Sequence, residues 1–310
     1  MKREHISYEV NQGIGVLLFN CPERLNAYNR AMAAEIVAVL SEAASDDAVR
    51  VLVVTAMGRA FCAGADLSSG ESAFDRSQID SPDDYRDSGG ETALAFHHFP
   101  KPVIAAIQGH AVGVGIALCL AMDIRVAAEQ AKIAFAFTRR GMVPDSAASY
   151  FLPRLVGAGK AAELIFTGRT FLAQEERESG LFNYVLPADE VLPRALAIAE
   201  EIAKWTAPVA VTLSKSLLRD SSQRGPEEVH LFGSRLLYWC GKSPDAREGV
   251  QSFLDKRPPQ FPLSASRDLP GFFSDLKQHT RDGGGTGEAP RAAAPAGSAS
   301  TTSADTVPED

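Results

Sequence analysis

Two glycine-rich turns, each close behind a short apolar run, constrain this chain more than any other feature. The first is Phe61-Cys62-Ala63-Gly64-Ala65-Asp66-Leu67, and the second is Gly109-His110-Ala111-Val112-Gly113-Val114-Gly115. The runs before them, Val49 to Thr55 and Val103 to Ile107, have the composition of strands buried on both faces. The second turn opens a helix. Glycine allows close backbone approach and a helix start has free N–H donors, so such turns can aim N–H groups at an anionic oxygen. Two of them converging on one oxygen would make an oxyanion hole.

The order strand, turn, helix recurs at intervals of about fifty residues, as structure rather than as repeated sequence. Residues 6–10 and 14–19 alternate around Asn11-Gln12-Gly13, which predicts a hairpin. Asn29 to Ala44 reads as a helix, with Met32, Ile36, Val39 and Leu40 on one face and Asn29 as N-cap. Ser68 to Glu91 is rich in Ser, Asp and Gly and reads as a mobile loop, followed by a helix ending near Phe99-Pro100. A helix over 115–122 and a short strand over 124–126 follow. From Ser146 the pattern is mostly helical, over 146–155, 158–166, 173–178, 189–204 and 208–221, with more to Arg257. The division expected is a core over 1–200, a helical region over 201–265 and a tail over 266–310. From about residue 281 the tail lacks large apolar side chains and is expected to be disordered.

Several classes are disfavoured. With 310 residues, 45% hydrophobic and 23% charged, the chain can bury a sizeable core. A net charge of -8 argues against bulk binding to nucleic acid or anionic membranes. No run approaches membrane-spanning length, no apolar signal segment follows Met1, and the four cysteines form no CxxC, so a reduced cytoplasmic setting is expected. GxSxG and HExxH are absent, and the glycines at 109, 113 and 115 do not have dinucleotide-site spacing. Gly241-Lys242-Ser243 resembles a P-loop ending, but Leu236 stands where its first glycine belongs. The six histidines lack metal-ligand spacing, so no metal is expected. His97-His98 reads as a surface pair on a helix, whereas His110 has either a structural role or a place on a pocket wall.

Taken in order, the motifs resemble the enoyl-CoA hydratase/isomerase (crotonase) superfamily. They are Pro22-Glu23-Arg24-Leu25-Asn26-Ala27, Ala60 to Leu67, Ile107 to Gly115, Gly141-Met142-Val143-Pro144-Asp145 and Leu152-Pro153-Arg154-Leu155-Val156-Gly157. Glu248-Gly249 through Phe253, with Lys256-Arg257-Pro258, matches the superfamily's C-terminal signature. The resemblance spans about residues 5–262. It implies an α/β fold: a spiral of ββα units followed by a helical C-terminal region that makes homotrimers or dimers of trimers. It also implies an acyl-CoA thioester substrate, no separate cofactor, and oxyanion donors at the backbone N–H groups of Ala65 and Val114. Valine stands at 114 where glycine is usual, which narrows the acyl pocket. The substrate-binding set implied is Arg24, Ala63, Asp66, Leu67, Phe137 and Lys256, with Arg24 and Lys256 toward the CoA moiety. By its position Asp66 reads first as a residue that shapes its turn.

The hydratases of this superfamily hold water between two glutamates. Ala117 and Phe137 occupy those positions here, and neither transfers a proton. Asp145 remains. By position it can be the N-cap of the following helix, and by resemblance it is the acid–base carboxylate of certain isomerases. The reaction implied first is therefore a shift of a 3-enoyl-CoA to the 2-enoyl-CoA with Asp145 carrying the proton. The alternatives are a hydratase that recruits a second carboxylate from the loop (Glu71, Asp75 or Glu91), and a non-catalytic acyl-CoA-binding scaffold. Halide displacement through Asp145 ranks low, because its family has tryptophan where Phe137 stands.

Overall fold

The computed structural model describes residues 3–221 and 224–273. The expectation of a disordered tail from about 281 lies outside them. The chain divides into a unit Met1–Leu269 and a second unit beginning at Pro270.

Among the described residues ten strands form two sheets. β1 (Ile6–Asn11) and β2 (Ile14–Phe19) are the expected hairpin, antiparallel from Ile6 opposite Phe19 to Asn11 opposite Ile14. They continue through β3 (Val51–Ala56), β5 (Val103–Ile107), β7 (Ile124–Ala128) and β10 (Tyr184–Leu186) as a sheet of order β1-β2-β3-β5-β7-β10, parallel after the hairpin. β4 (Ala60–Cys62), β6 (His110–Val112), β8 (Lys132–Ala134) and β9 (Thr170–Leu172) form the second sheet. After β2 the chain alternates, β3 then β4, β5 then β6, β7 then β8, placing one strand in each sheet per turn of the spiral. All residues of β3 and β5 are buried, as their unbroken apolar runs require.

Helices close each turn. α1 (Arg30–Ser45) begins where expected, with the Asn29 side chain accepting the Met32 N–H. α2 (Ser88–His98) packs on α1 and on α3 (Val114–Leu120), while α4 (Ala148–Val156) and α5 (Ala158–Thr167) follow β8. The stretch at 173–178 is a single 3-10 turn, Ala173–Glu176. α6 (Ala188–Trp205) crosses the boundary placed at residue 200 and covers β2, β3, β5 and β7. α7 (Pro208–Ser221), α8 (Pro226–Lys242) and α9 (Pro244–Leu254) make the helical C-terminal region. Leu231, Leu237 and Tyr238 on α8 and Val250, Phe253 and Leu254 on α9 are all exposed. No helix among the described residues is long and apolar enough to cross a membrane.

Candidate active site

Parallel pairing of β4 with β6 sets the two glycine turns side by side, because adjacent parallel strands end in adjacent loops. The approach is close. A Cβ on Gly115 would lie 2.4 Å from the Cys62 carbonyl oxygen, and one on Gly64 would lie 3.0 Å from the Val112 carbonyl oxygen. Gly113 has φ 55° and ψ −123°, a conformation that a side chain would strain. The Pro22–Ala27 motif backs the first turn. Buried Asn26 donates to the Met57 and Ala60 carbonyls and accepts the Cys21 N–H, while Leu25 accepts the Ala63 N–H at 3.0 Å.

These bonds decide which donors remain. The Ala63 and Asp66 N–H groups are spent on the Leu25 and Tyr28 carbonyls, and the Gly113 N–H is spent on Ala134. Among the described residues Ala65 and Val114 have no backbone acceptor of this kind, nor has Gly64, and all three line one cavity. Val114 is the first residue of α3, so its free N–H is inherent to a helix start.

The cavity measures about 810 Å³, a size suited to a small organic ligand. Ala63, Ala65, Asp66, Leu67, Val114, Phe137 and Asp145 all line it. Phe74, Ile79 and Met142 add apolar wall, and Arg30, Arg76 and Arg140 add positive charge. The loop 68–91 therefore contributes walls, through the end of a 3-10 turn at Gly70–Phe74, the residues just after it, Tyr85 beyond a second 3-10 turn at Pro82–Asp84, and the start of α2. Val114 Cγ2 lies against Gly89, where a Cβ would sit 3.1 Å from it.

Two expected substrate contacts are not on the cavity wall. Arg24 instead bonds Asp66 at 2.6 Å, which ties it to a lining residue from outside. Lys256 lies just beyond α9, with φ 56°. His110 does not reach the cavity either. Its ring accepts the Lys132 N–H at 3.0 Å and so braces the second sheet. Ala117 is fully buried within α3 and is no part of the wall. His97 is half-buried against Phe151 and His98 is exposed. Among the described residues no cluster of metal-ligating side chains occurs.

Asp145 is not the N-cap that its position suggested. Ser146 and Ala147 both adopt left-handed backbone, φ 55° and 53°, and Ala147 occupies the cap of α4. This reversal frees the Asp145 carboxyl from the helix end. It lies in the cavity wall and accepts the Ser146 hydroxyl at 3.0 Å. Burial, and then the nearby charge of Asp87, push its pKa up to about 6.

Asp87 is a wall residue that the sequence did not reveal. It caps α2, accepting the Gly89 and Gly90 N–H groups, and also accepts the Ser146 N–H at 3.0 Å. The signal was an acidic residue before a helix start. Two glycines at the second and third positions after it, poor helix formers, hid that start inside a polar loop.

Comparisons with known proteins agree with the architecture. The family model for enoyl-CoA hydratase/isomerase matches residues 9–263. An enoyl-CoA hydratase of Alternaria alternata is 44% identical over 250 residues, 80% of this chain and 83% of its own. The 1,2-epoxyphenylacetyl-CoA isomerase of Escherichia coli is 34% identical over 267 residues, 83% of this chain and 98% of its own. The crystal structure of an enoyl-CoA hydratase from Bacillus anthracis superposes with a TM-score of 0.77 at 32% identity, covering 83% of this chain and 99% of that one. With its strands alternating between two sheets and its glycine turns paired over one cavity, the chain belongs to the enoyl-CoA hydratase/isomerase family.

Proposed function

We propose that the protein is an enoyl-CoA isomerase that moves the double bond of a 3-enoyl-CoA into conjugation with the thioester. One observation supports this reading above the others: a single cavity-facing carboxylate of raised proton affinity, Asp145, shares a wall with two unspent N–H donors, those of Ala65 and Val114. The Asp145 carboxylate takes the C2 proton. The C2–H electron pair becomes the C1–C2 double bond of a dienolate, and the thioester oxygen takes the negative charge. The Ala65 and Val114 N–H groups hold that oxygen. When the carbonyl re-forms, the pair moves into C2–C3, the C3–C4 π pair takes the proton back from Asp145 at C4, and the carboxylate is restored. No atom is gained or lost. Removing one such oxyanion donor typically costs about 3 kcal/mol of transition-state stabilisation. A base near pKa 6 is mostly ionised at neutral pH yet holds a proton better than an ordinary aspartate.

A hydratase is the second reading, favoured by the names of relatives such as the Alternaria alternata protein. It needs a second carboxylate to activate water. Glu71 and Glu91 are not on the cavity wall, Asp75 is exposed, and the Asp87 carboxylate accepts three backbone N–H bonds. Under either reading Arg24 and Lys256 are assigned to the CoA moiety, the thioester is the substrate and no further cofactor is used. The exposed apolar side chains of α8 and α9 support assembly into trimers.

The test is an acyl-CoA panel on wild type and Asp145→Asn. Conjugation of 3-hexenoyl-CoA by wild type and its loss in the variant support the isomerase. Conversion of crotonyl-CoA to the 3-hydroxy product at an unchanged rate in the variant overturns it, and binding without turnover of any thioester supports a scaffold.

A further inference from the structure

We propose that Asp87 is a positioning residue for Asp145: it clamps the left-handed turn after Asp145 against the start of α2 and fixes a negative charge behind the acid–base carboxylate. This rests on Asp145 being the group that carries the proton.

Three contacts converge on Ser146, which is fully buried. Its N–H donates to Asp87 Oδ2 at 3.0 Å, and its hydroxyl donates to Asp145 Oδ1 at 3.0 Å. Its hydroxyl also presses on Gly89, where a Cβ would come within 2.4 Å. Asp87 is itself held by α2, with the Gly89 N–H at 3.1 Å on one oxygen and the Gly90 N–H at 2.6 Å on the other. The path from the N-cap of α2 to the Asp145 carboxyl is thus one residue long and hydrogen-bonded throughout. Two successive non-glycine residues in left-handed backbone persist only where surrounding structure holds them, and the Asp87 bond to Ser146 is such a restraint.

The same geometry carries charge. An anion held this near a carboxyl disfavours its ionisation, and Asp87 follows burial as a cause of the raised proton affinity of Asp145. The other charged groups on the cavity wall are Arg30 from α1, Asp66, Asp75 and Arg76 from the segment after β4, and Arg140 before the Asp145 turn. Asp87 differs from them in being bonded to the backbone on which Asp145 stands. Three donated N–H bonds give it a structural duty, and its charge gives it an electrostatic one.

The experiment uses the full chain with Asp87→Asn, Asp87→Ser and Asp87→Glu. Asn removes the charge at constant shape. Ser removes the charge and the reach to Ser146 while keeping an N-cap, which protects against failure to fold. Glu keeps the charge. Ionisation of Asp145 is read without substrate, from the infrared band of its protonated carboxyl, identified by its absence in Asp145→Asn. The pH dependence of 3-hexenoyl-CoA conjugation is read in parallel. The expected result is a fall of about one pH unit in the ionisation midpoint in the Asn and Ser variants, with the midpoint near wild type in the Glu variant. An unmoved midpoint with only a lowered melting temperature overturns the proposal and leaves Asp87 as a helix cap. If no thioester is conjugated by wild type, the isomerase reading falls, and the infrared midpoint still decides the role of Asp87.

Discussion

Replacing Asp145 by Asn is expected to stabilise the protein while removing its activity, and the size of the gain follows from the site. In the folded chain the Asp145 pKa stands at about 6, against an ordinary 3.8. The difference of roughly two pH units, at 1.36 kcal/mol each, sets an upper bound of about 3 kcal/mol. The sign follows from proton counting. Between about pH 4 and 6 the folded state keeps a proton that the unfolded chain has released, so stability falls as pH rises through this window. Below the window both states are protonated and nothing is lost. Above it the full cost of holding a buried carboxylate is present. Asn has no charge to bury and keeps an oxygen to accept the Ser146 hydroxyl, so at neutral pH it recovers about 1–3 kcal/mol, allowing for partial exposure. Urea unfolding of both proteins at about pH 4.5 and 7.5, at one fixed protein concentration, measures this. The gain must be present at the higher pH and shrink to about a third of that size at the lower, which lies inside the window. A gain that ignores pH, or a loss at neutral pH, refutes the burial argument. Turnover is expected to fall by at least about 10²–10⁴-fold, and an undiminished rate refutes the catalytic assignment separately.

The rate of 3-hexenoyl-CoA conjugation should rise with pH through a midpoint near 6 and stay level above it, because the base must be ionised to take the C2 proton. A bell-shaped profile with an essential acid would instead indicate a second titrating carboxylate. Gly115→Ala should cost at least about 2 kcal/mol in a thermal or urea melt, because the new methyl meets the Cys62 carbonyl oxygen at 2.4 Å. Arg24→Ala should raise KM for the thioester with kcat nearly kept, and change stability by less than about 1 kcal/mol, its ion pair with Asp66 being solvent-exposed on the arginine side. Phe253→Asp should lower the assembled mass in sedimentation, since Phe253 is exposed on the apolar face of α9.

The parts of the fold that were legible in the sequence are those with long periodic signals. The α1 helix and its Asn29 cap, the β1–β2 hairpin, β5 at 103–107 and α7 at 208–221 all stand where the pattern puts them. The second sheet was not legible. β4, β6, β8 and β9 have three residues each, too few to show any period, and their pairing arises from the way the spiral returns each strand beside the last. The glycine turns were legible because close backbone approach excludes side chains, and Gly115 against Cys62 makes that requirement plain. The surroundings of Asp145 were not. Its position before a helix suggested a cap, and nothing in Asp145-Ser146-Ala147 announces two left-handed residues. That conformation is imposed from elsewhere in the chain, by the carboxylate of Asp87, 59 residues away along the sequence from the Ser146 it bonds less than a strand spacing off.

This distance in sequence bears on why one scaffold serves different reactions. The two N–H donors proposed for the thioester oxygen are products of the backbone: strand pairing sets the turns side by side, and other bonds use up the Ala63, Asp66 and Gly113 N–H groups while those of Ala65 and Val114 stay unspent. Side chains can change around them without disturbing the hole. What a thioester enolate then undergoes depends on the carboxylates that can exchange a proton with it. A hydratase needs one to activate water and another to protonate carbon, whereas a double-bond shift needs one that releases the proton it took. In this chain Ala117 is sealed in α3, Phe137 presents a ring, and Asp87 is bonded to three N–H groups. In the proposed reaction Asp145 exchanges the proton, in a setting where burial and a fixed anion bring its affinity closer to that of a group that must both take and return it. A second carboxylate introduced at Phe137, on the same wall, is therefore the substitution with which to ask whether water can be brought into the reaction. Phe137→Glu should depress conjugation through repulsion of Asp145, and any new 3-hydroxy product from crotonyl-CoA would appear only where Asp145 is retained. Hydration that persists in the Phe137→Glu, Asp145→Asn double variant would show that the proton travels by a route other than Asp145.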